Sequence, residues 1–176
     1  MTSGGGTNSA GYVFKLASAT GALTKIRDFD QGAWAPKGGL ILGSDGNYYG
    51  ATFAGGLGSF TGFPGTGNGT VFRLTPAGTL TVLFNFSGAN GQTANPVGEL
   101  VEVSPLVFVG AAQHIQSNFG GAVYKLDLSG ASPAFSFIKN LNAFVDGSVR
   151  TGVIKATDGK LYGTTDRTIF RVDVDG

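Results

Sequence analysis

Apolar and polar residues alternate along this chain in short runs bounded by glycine, and the runs return. Gly11-Tyr12-Val13-Phe14-Lys15-Leu16 reappears as Gly69-Thr70-Val71-Phe72-Arg73-Leu74 and as Gly121-Ala122-Val123-Tyr124-Lys125-Leu126, then shortened as Thr168-Ile169-Phe170-Arg171-Val172. The alternation Val13/Lys15, Val71/Arg73 and Val123/Lys125 has the period of two expected of a strand with one covered face. A second phrase, Leu40 to Gly50, has copies at Leu100 to Gly110 and Val153 to Gly163. A third, Leu23 to Phe29, is matched by Leu80 to Phe86 and Phe135 to Leu141. Asp45-Gly46 and Asp158-Gly159 each stand between two apolar runs, which predicts hairpins with type I′ turns. The second copy has Pro105-Leu106 there, so its turn is expected to differ. No segment sustains a 3.6-residue period, and the chain is expected to be all-β.

The spacings separate scaffold from loop. Phe14 to Gly50 is 36 positions, Phe72 to Gly110 is 38 and Tyr124 to Gly163 is 39, whereas Gly50 to Phe72 is 22, Gly110 to Tyr124 is 14 and Gly163 to Phe170 is 7. A packed unit cannot gain residues without losing register, but a surface loop can, at small entropic cost. The variable segments therefore read as loops at one place in the unit. Four short strands in a unit of roughly 50 residues suit a propeller blade. The aromatics Phe14, Phe72, Tyr124 and Phe170 are expected in equivalent buried positions between neighbouring sheets. A parallel β-helix is the runner-up, with coils normally much shorter than these units.

The combination G-x-V-F-K/R-L, L-T-x-L-x-x-F and D-G-x-x-Y-G-x-T resembles the GloVer repeat family of bacterial proteins. The resemblance covers essentially the whole chain and is weakest in the second copy, which lacks the Asp-Gly pair and the tyrosine before Gly110. It implies a propeller-like array, export, and an extracellular or cell-surface location. It transfers no catalytic residues. The expected architecture is a single repeat domain over 1–176 with about three four-stranded blades and partial units at both ends. The units run approximately 11–68, 69–120 and 121–167, with a partial unit 168–176. Met1-Thr2-Ser3-Gly4-Gly5-Gly6 aligns with Ala51-Thr52-Phe53-Ala54-Gly55-Gly56, so the chain begins mid-unit, and it also stops mid-unit. That leads to the expectation of an incomplete ring and a fragment of a longer protein, with Met1 an internal codon. A short protein that closes by oligomerisation is the alternative. Its partners would then be further blades or a second copy.

Composition narrows the chemistry. Of 176 residues 31 are glycine, while charged residues make up 13% and hydrophobic residues 41%, which excludes a highly charged disordered chain. Twelve basic against eleven acidic residues, with no basic run, argue against a nucleic-acid footprint. The absence of cysteine removes disulfides, thiolate metal sites and thiol nucleophiles. No apolar run approaches the roughly 20 residues of a membrane-spanning helix. No cofactor and no metal site are expected.

Individual candidates are few. The glycine-rich loop Phe53 to Asn68 lacks the phosphate-loop pattern and leads into a strand, so it reads as a surface loop. Asp173-Val174-Asp175-Gly176 has the look of the opening of a calcium loop without its remainder, and a hairpin turn is the simpler reading. Asp28 and Asp30 flank Phe29 and could form an acid–base pair, though a solvated strand end explains them as well. Asn68-Gly69-Thr70 and Asn85-Phe86-Ser87 match the glycosylation pattern. Trp34, in the connection Gln31 to Gly38, and Phe60 and Phe63, in the longest loop, could stack on sugar rings or anchor a partner; equally, they could plug gaps between blades. His114, in the variable loop Ala111 to Gly120, completes the candidate binding set. The eleven carboxylates are scattered, and no converging catalytic set is visible. The leading expectation is a non-catalytic scaffold or binding module for a glycan or protein. The alternative is a fragment of a propeller-type polysaccharide-active hydrolase or lyase.

Overall fold

The computed structural model describes residues 1–30, 32–56, 67–87, 95–113 and 119–175, with only the backbone described at Phe119. All regular structure among them is β. The first sheet pairs β1 (Tyr12–Leu16) with β2 (Leu23–Asp28). The second runs in the order β3 (Ile41–Leu42), β4 (Tyr48–Thr52), β5 (Thr70–Leu74), β6 (Leu80–Asn85). The third is β7 (Pro96–Ser104), β8 (Val107–Ala112), β9 (Phe119–Asp127), β10 (Ala134–Asn142). The fourth is β11 (Val149–Lys155), β12 (Leu161–Thr165), β13 (Ile169–Val172). Every pairing is antiparallel between chain neighbours.

Among the described residues the sheets are thus two of four strands flanked by a two-stranded and a three-stranded one, where about three four-stranded blades with partial units at both ends were expected. The two four-stranded sheets each open with the hairpin of the second phrase and close with the first and third phrases, while the first sheet holds only the first and third phrases. A span such as 11–68 therefore supplies strands to two sheets, and the fourth sheet holds three strands among the described residues.

Three apolar seams join successive sheets. Val13, Phe29, Phe72 and Leu74 lie in the first, Tyr49, Val71, Phe86, Phe108 and Tyr124 in the second, and Val109, Val123, Leu141, Val153 and Leu161 in the third. Each fully buried side chain of this size contributes about 1.5–3 kcal/mol. The innermost strands approach backbone to backbone: a Cβ on Gly38 would strike the Gly98 carbonyl, and one on Gly98 would strike the Gly152 amide. No side chain fits there.

The repeated aromatics share one register. Phe72 faces Gly50 across the β4–β5 pair, Tyr124 faces Gly110, and Phe170 faces Gly163. A Cβ on Gly50 would stand 2.8 Å from Phe72 Cζ, so each ring lies over the glycine opposite it. Phe72 and Tyr124 are buried, but Phe14 and Phe170 are only half-buried. Among the described residues the first sheet has two strands and the fourth three, so equivalent position does not bring equivalent burial.

The Asp-Gly hairpins are not type I′. Gly43 bonds the carbonyl of Asn47 at 2.8 Å, and Gly46 bonds that of Gly43 at 2.9 Å. Gly46 has φ 80° while Asp45 keeps a negative φ, and Gly159 repeats the value. This is a three-residue loop needing one left-handed residue rather than two. At Pro105-Leu106 the loop is two residues, Pro105 fixing φ near about −65° and Leu106 taking φ 60°. The left-handed demand persists where glycine does not.

Candidate functional site

The loops after β4, β8 and β12 and the connections between sheets emerge at one end of the strands. The backbone ties each connection to a neighbouring loop. The Ala35 carbonyl accepts from Phe53 N–H at 3.0 Å, the Asn95 carbonyl from Gln113 N–H at 3.1 Å, and the Ser148 carbonyl from Asp166 N–H at 3.0 Å. Ala35 and Asn95 hold φ values of 52° and 62° to do so; asparagine tolerates that conformation better than alanine. Asn95 is buried and donates from Nδ2 to the Phe53 carbonyl at 2.7 Å, while Lys37 Nζ lies 3.4 Å from the centre of the Phe53 ring. The loop end therefore rests on a repeated hydrogen-bonded frame.

Trp34 exchanges two backbone bonds with Ala54, at 2.9 and 3.0 Å, and packs half-buried against the first seam. That places it beside the base of the longest loop. Phe60, Phe63 and His114 lie outside the described residues.

The charged candidates are engaged in holding the chain. Asp28 accepts from Lys25 Nζ at 2.7 Å and from Thr7 Oγ1 at 2.9 Å; the Lys25 bond first, then that from Thr7, keeps its carboxyl below the ordinary range. Asp30 accepts the Gly32 N–H at 2.9 Å and pairs with Arg27 at 3.8 Å. Both aspartates line a cleft of about 350 Å³ with Thr7, Asn8, Lys25, Ile26 and Arg27. They serve separate local contacts. Asp173 pairs with Lys160, and Asp175 with Lys125 at 3.8 Å, so the two residues of the calcium-like opening go to different cations. Among the described residues no three His, Cys, Asp or Glu side chains come together as a metal site.

Two features were not foreseen. Asp45 receives the Tyr49 hydroxyl at 2.9 Å and Asp158 the Tyr162 hydroxyl at 2.9 Å. The Asp-Gly-x-x-Tyr spacing was the available signal, since a three-residue loop returns the tyrosine over the aspartate. Burial, then the Asp45 bond, pushes Tyr49 up to about 12. Burial opposes ionisation of Asp45, but bonds from Asn47 and Tyr49 outweigh it and its carboxyl is lowered. Glu102 reaches between sheets, accepting from Ser44 N–H at 3.0 Å, Ser44 Oγ at 2.7 Å and Leu106 N–H at 2.8 Å. Burial raises its carboxyl, yet these bonds together hold it below the usual glutamate value. No local pattern links positions 44 and 102.

Residues 1–171 match the Gloeobacter/Verrucomicrobia repeat, and the chain belongs to that family. No curated protein matches it. Among solved structures it is similar to an X-ray structure of a protein provisionally assigned as a gluconolactonase, at 16% identity and a TM-score of 0.63. That likeness covers 94% of this chain and 54% of the other, so the chain spans about half the length of the structure it matches. At this identity the likeness is one of fold: an all-β, propeller-like array of antiparallel sheets.

Proposed function

We propose that the chain is a non-catalytic repeat domain of an exported, surface-located protein, binding a glycan or a protein at its loop end. The observation that carries this reading is the state of the carboxylates. Asp28, Asp45, Glu102, Asp158 and Asp166 each accept hydrogen bonds from turns and neighbours. Their oxygens are committed to the scaffold, whereas acid–base work on a ligand needs a carboxyl free to face it. Recognition then falls to the loops, which a rigid frame can vary in length without disturbing the core. Trp34 pairs with Ala54, from which the chain runs on toward Phe60 and Phe63, and these aromatics with His114 form the proposed contact set.

The test is a glycan array and a protein-partner screen with the intact chain, Trp34→Ala and Phe60→Ala/Phe63→Ala. Binding by the intact chain that falls at least tenfold in the loop variants supports the reading. Equal binding by all three overturns it. Turnover of a gluconolactone or a polysaccharide by the intact chain would favour the enzyme reading instead.

A further inference from the structure

The connection from β10 to β11 raises two apolar side chains at the loop end: Phe144 is 67% exposed and Val145 72%. The tip joins the third sheet to the fourth, inside the array rather than at either of its ends. The backbone beneath the pair is held on both sides. Asn142 Oδ1 accepts the Phe144 N–H at 2.9 Å and the Val145 N–H at 3.3 Å, and the Asp146 N–H donates to the Asn142 carbonyl at 2.7 Å. From the loop after β12, Arg167 Nη1 donates to the Phe144 carbonyl at 2.8 Å and Thr168 Oγ1 to that of Asp146 at 2.8 Å. A Cβ on Gly147 would strike the Asp166 carboxylate, so connection and loop lie in contact. The apolar pair therefore stands on an ordered tip, and a tip ordered in advance loses little conformational freedom on binding.

We propose that this tip is a sugar-binding platform, on which the Phe144 ring takes the apolar face of a pyranose and the Arg167 guanidinium bonds its hydroxyls. The inference rests on the reading of the loop end as a recognition surface, and within that reading it selects a glycan. Area is the first reason. A stable protein interface buries about 800 Å² on each partner, and two side chains among charged neighbours supply a small part of that, whereas one aromatic face is matched by one sugar ring. The second reason is the donor set at the tip. Arg167 uses one N–H on the Phe144 carbonyl, and among the described residues no ion pair takes the rest of its fork. A planar fork of several donors suits neighbouring hydroxyls on a ring. The carboxylates of Asp146 and Asp166 place negative charge beside the tip, which disfavours an anionic membrane surface.

The experiment is binding of the intact chain, Phe144→Ala, Phe144→Trp and Trp34→Ala to immobilised cello-, xylo-, manno- and chito-oligosaccharides and polygalacturonate, with circular dichroism to verify that each variant keeps its strands. The intact chain is expected to bind at least one of these sugars, and Phe144→Ala to weaken that binding at least tenfold. Phe144→Trp is expected to bind at least as tightly as the intact chain, a rescue that requires the ring face itself and not merely the fold of the connection. Sugar binding that survives Phe144→Ala but is lost in Trp34→Ala would overturn this inference and leave the wider reading of the loop end standing. Binding to a protein partner alone, or to vesicles of phosphatidylcholine and phosphatidylglycerol alone, would overturn the choice of a glycan, and binding to nothing offered would overturn both readings.

Discussion

The second and third seams use the same strand positions with different materials. Between the second and third sheets the contact is aromatic: Tyr49 stacks on Phe108 at 4.2 Å, Phe84 on Phe135 at 3.6 Å, and Phe86 meets Tyr124 edge-on at 5.2 Å. Between the third and fourth sheets four of the corresponding places are aliphatic, although Phe170 stands at the Tyr124 position and Lys139 at that of Phe84. Val109 replaces Tyr49, Leu141 replaces Phe86, Leu161 replaces Phe108 and Val172 replaces Leu126. The side chains shrink on both faces of the seam together. Close packing explains why: a lone reduction would leave a void, and a lone enlargement would force strain. Register is thus the shared property of the repeat, and volume is adjusted pairwise within each seam.

The largest test of that comparison is Phe86→Ala, which removes a ring touching Phe84, Tyr124 and Phe135. It should destabilise the chain by about 4 kcal/mol in denaturant unfolding; a loss under about 1 kcal/mol would mean the aromatic seam is loosely packed. Leu161→Ala in the aliphatic seam should cost about 3 kcal/mol, and a cost above that of Phe86→Ala would reverse the ranking. Gly50→Ala meets both Phe72 and Leu40 and should cost about 2 kcal/mol, while the nearest atoms to Gly163→Ala are those of the half-buried Phe170 ring and it should cost less than half as much. Equal midpoints for the two would remove the distinction between middle and end sheets.

Smaller effects separate the two Asp–Tyr pairs. Tyr49→Phe should cost about 1 kcal/mol by removing a bond from a buried ring, whereas Tyr162→Phe at the exposed end should fall within about 0.5 kcal/mol of wild type. Acid titration sharpens this further. Asp45, Asp158 and Glu102 are depressed in the folded chain from ordinary values of 3.8, 3.8 and 4.5. Their contribution is therefore complete above those values and lost as pH falls through the lower folded ones. The unfolding midpoint should hold from neutrality to about pH 5 and drop toward about pH 3. A midpoint that rises on acidification would contradict the assigned bonds.

Much of the fold is written in local patterns. The strand phrases, the turn positions and the aromatic-over-glycine register follow from alternation and from the few residues that fit beside a ring. The alignment of Met1–Gly6 with Ala51–Gly56 also holds: Thr2 bridges Tyr12 as Thr52 pairs with Thr70, and Gly5 and Gly6 share the positive φ of Gly55 and Gly56. The candidate site was less legible. Trp34 carried a signal as an aromatic in a connection, but the Asn95 anchor, the Lys37–Phe53 contact and the Glu102–Ser44 tie join residues far apart in the chain.

By itself, then, the amino-acid order determined what each short stretch becomes, because alternation, turn conformation and steric room are set by neighbours a few residues away. Only the tertiary structure decided how stretches are grouped. Nothing local tells that 11–68 divides between two sheets, that Phe14 and Phe170 lose the cover Phe72 and Tyr124 enjoy, or that Leu106 accepts a left-handed backbone beside Glu102. Those outcomes depend on which surfaces meet, and burial is a property of the pair of surfaces rather than of either strand alone.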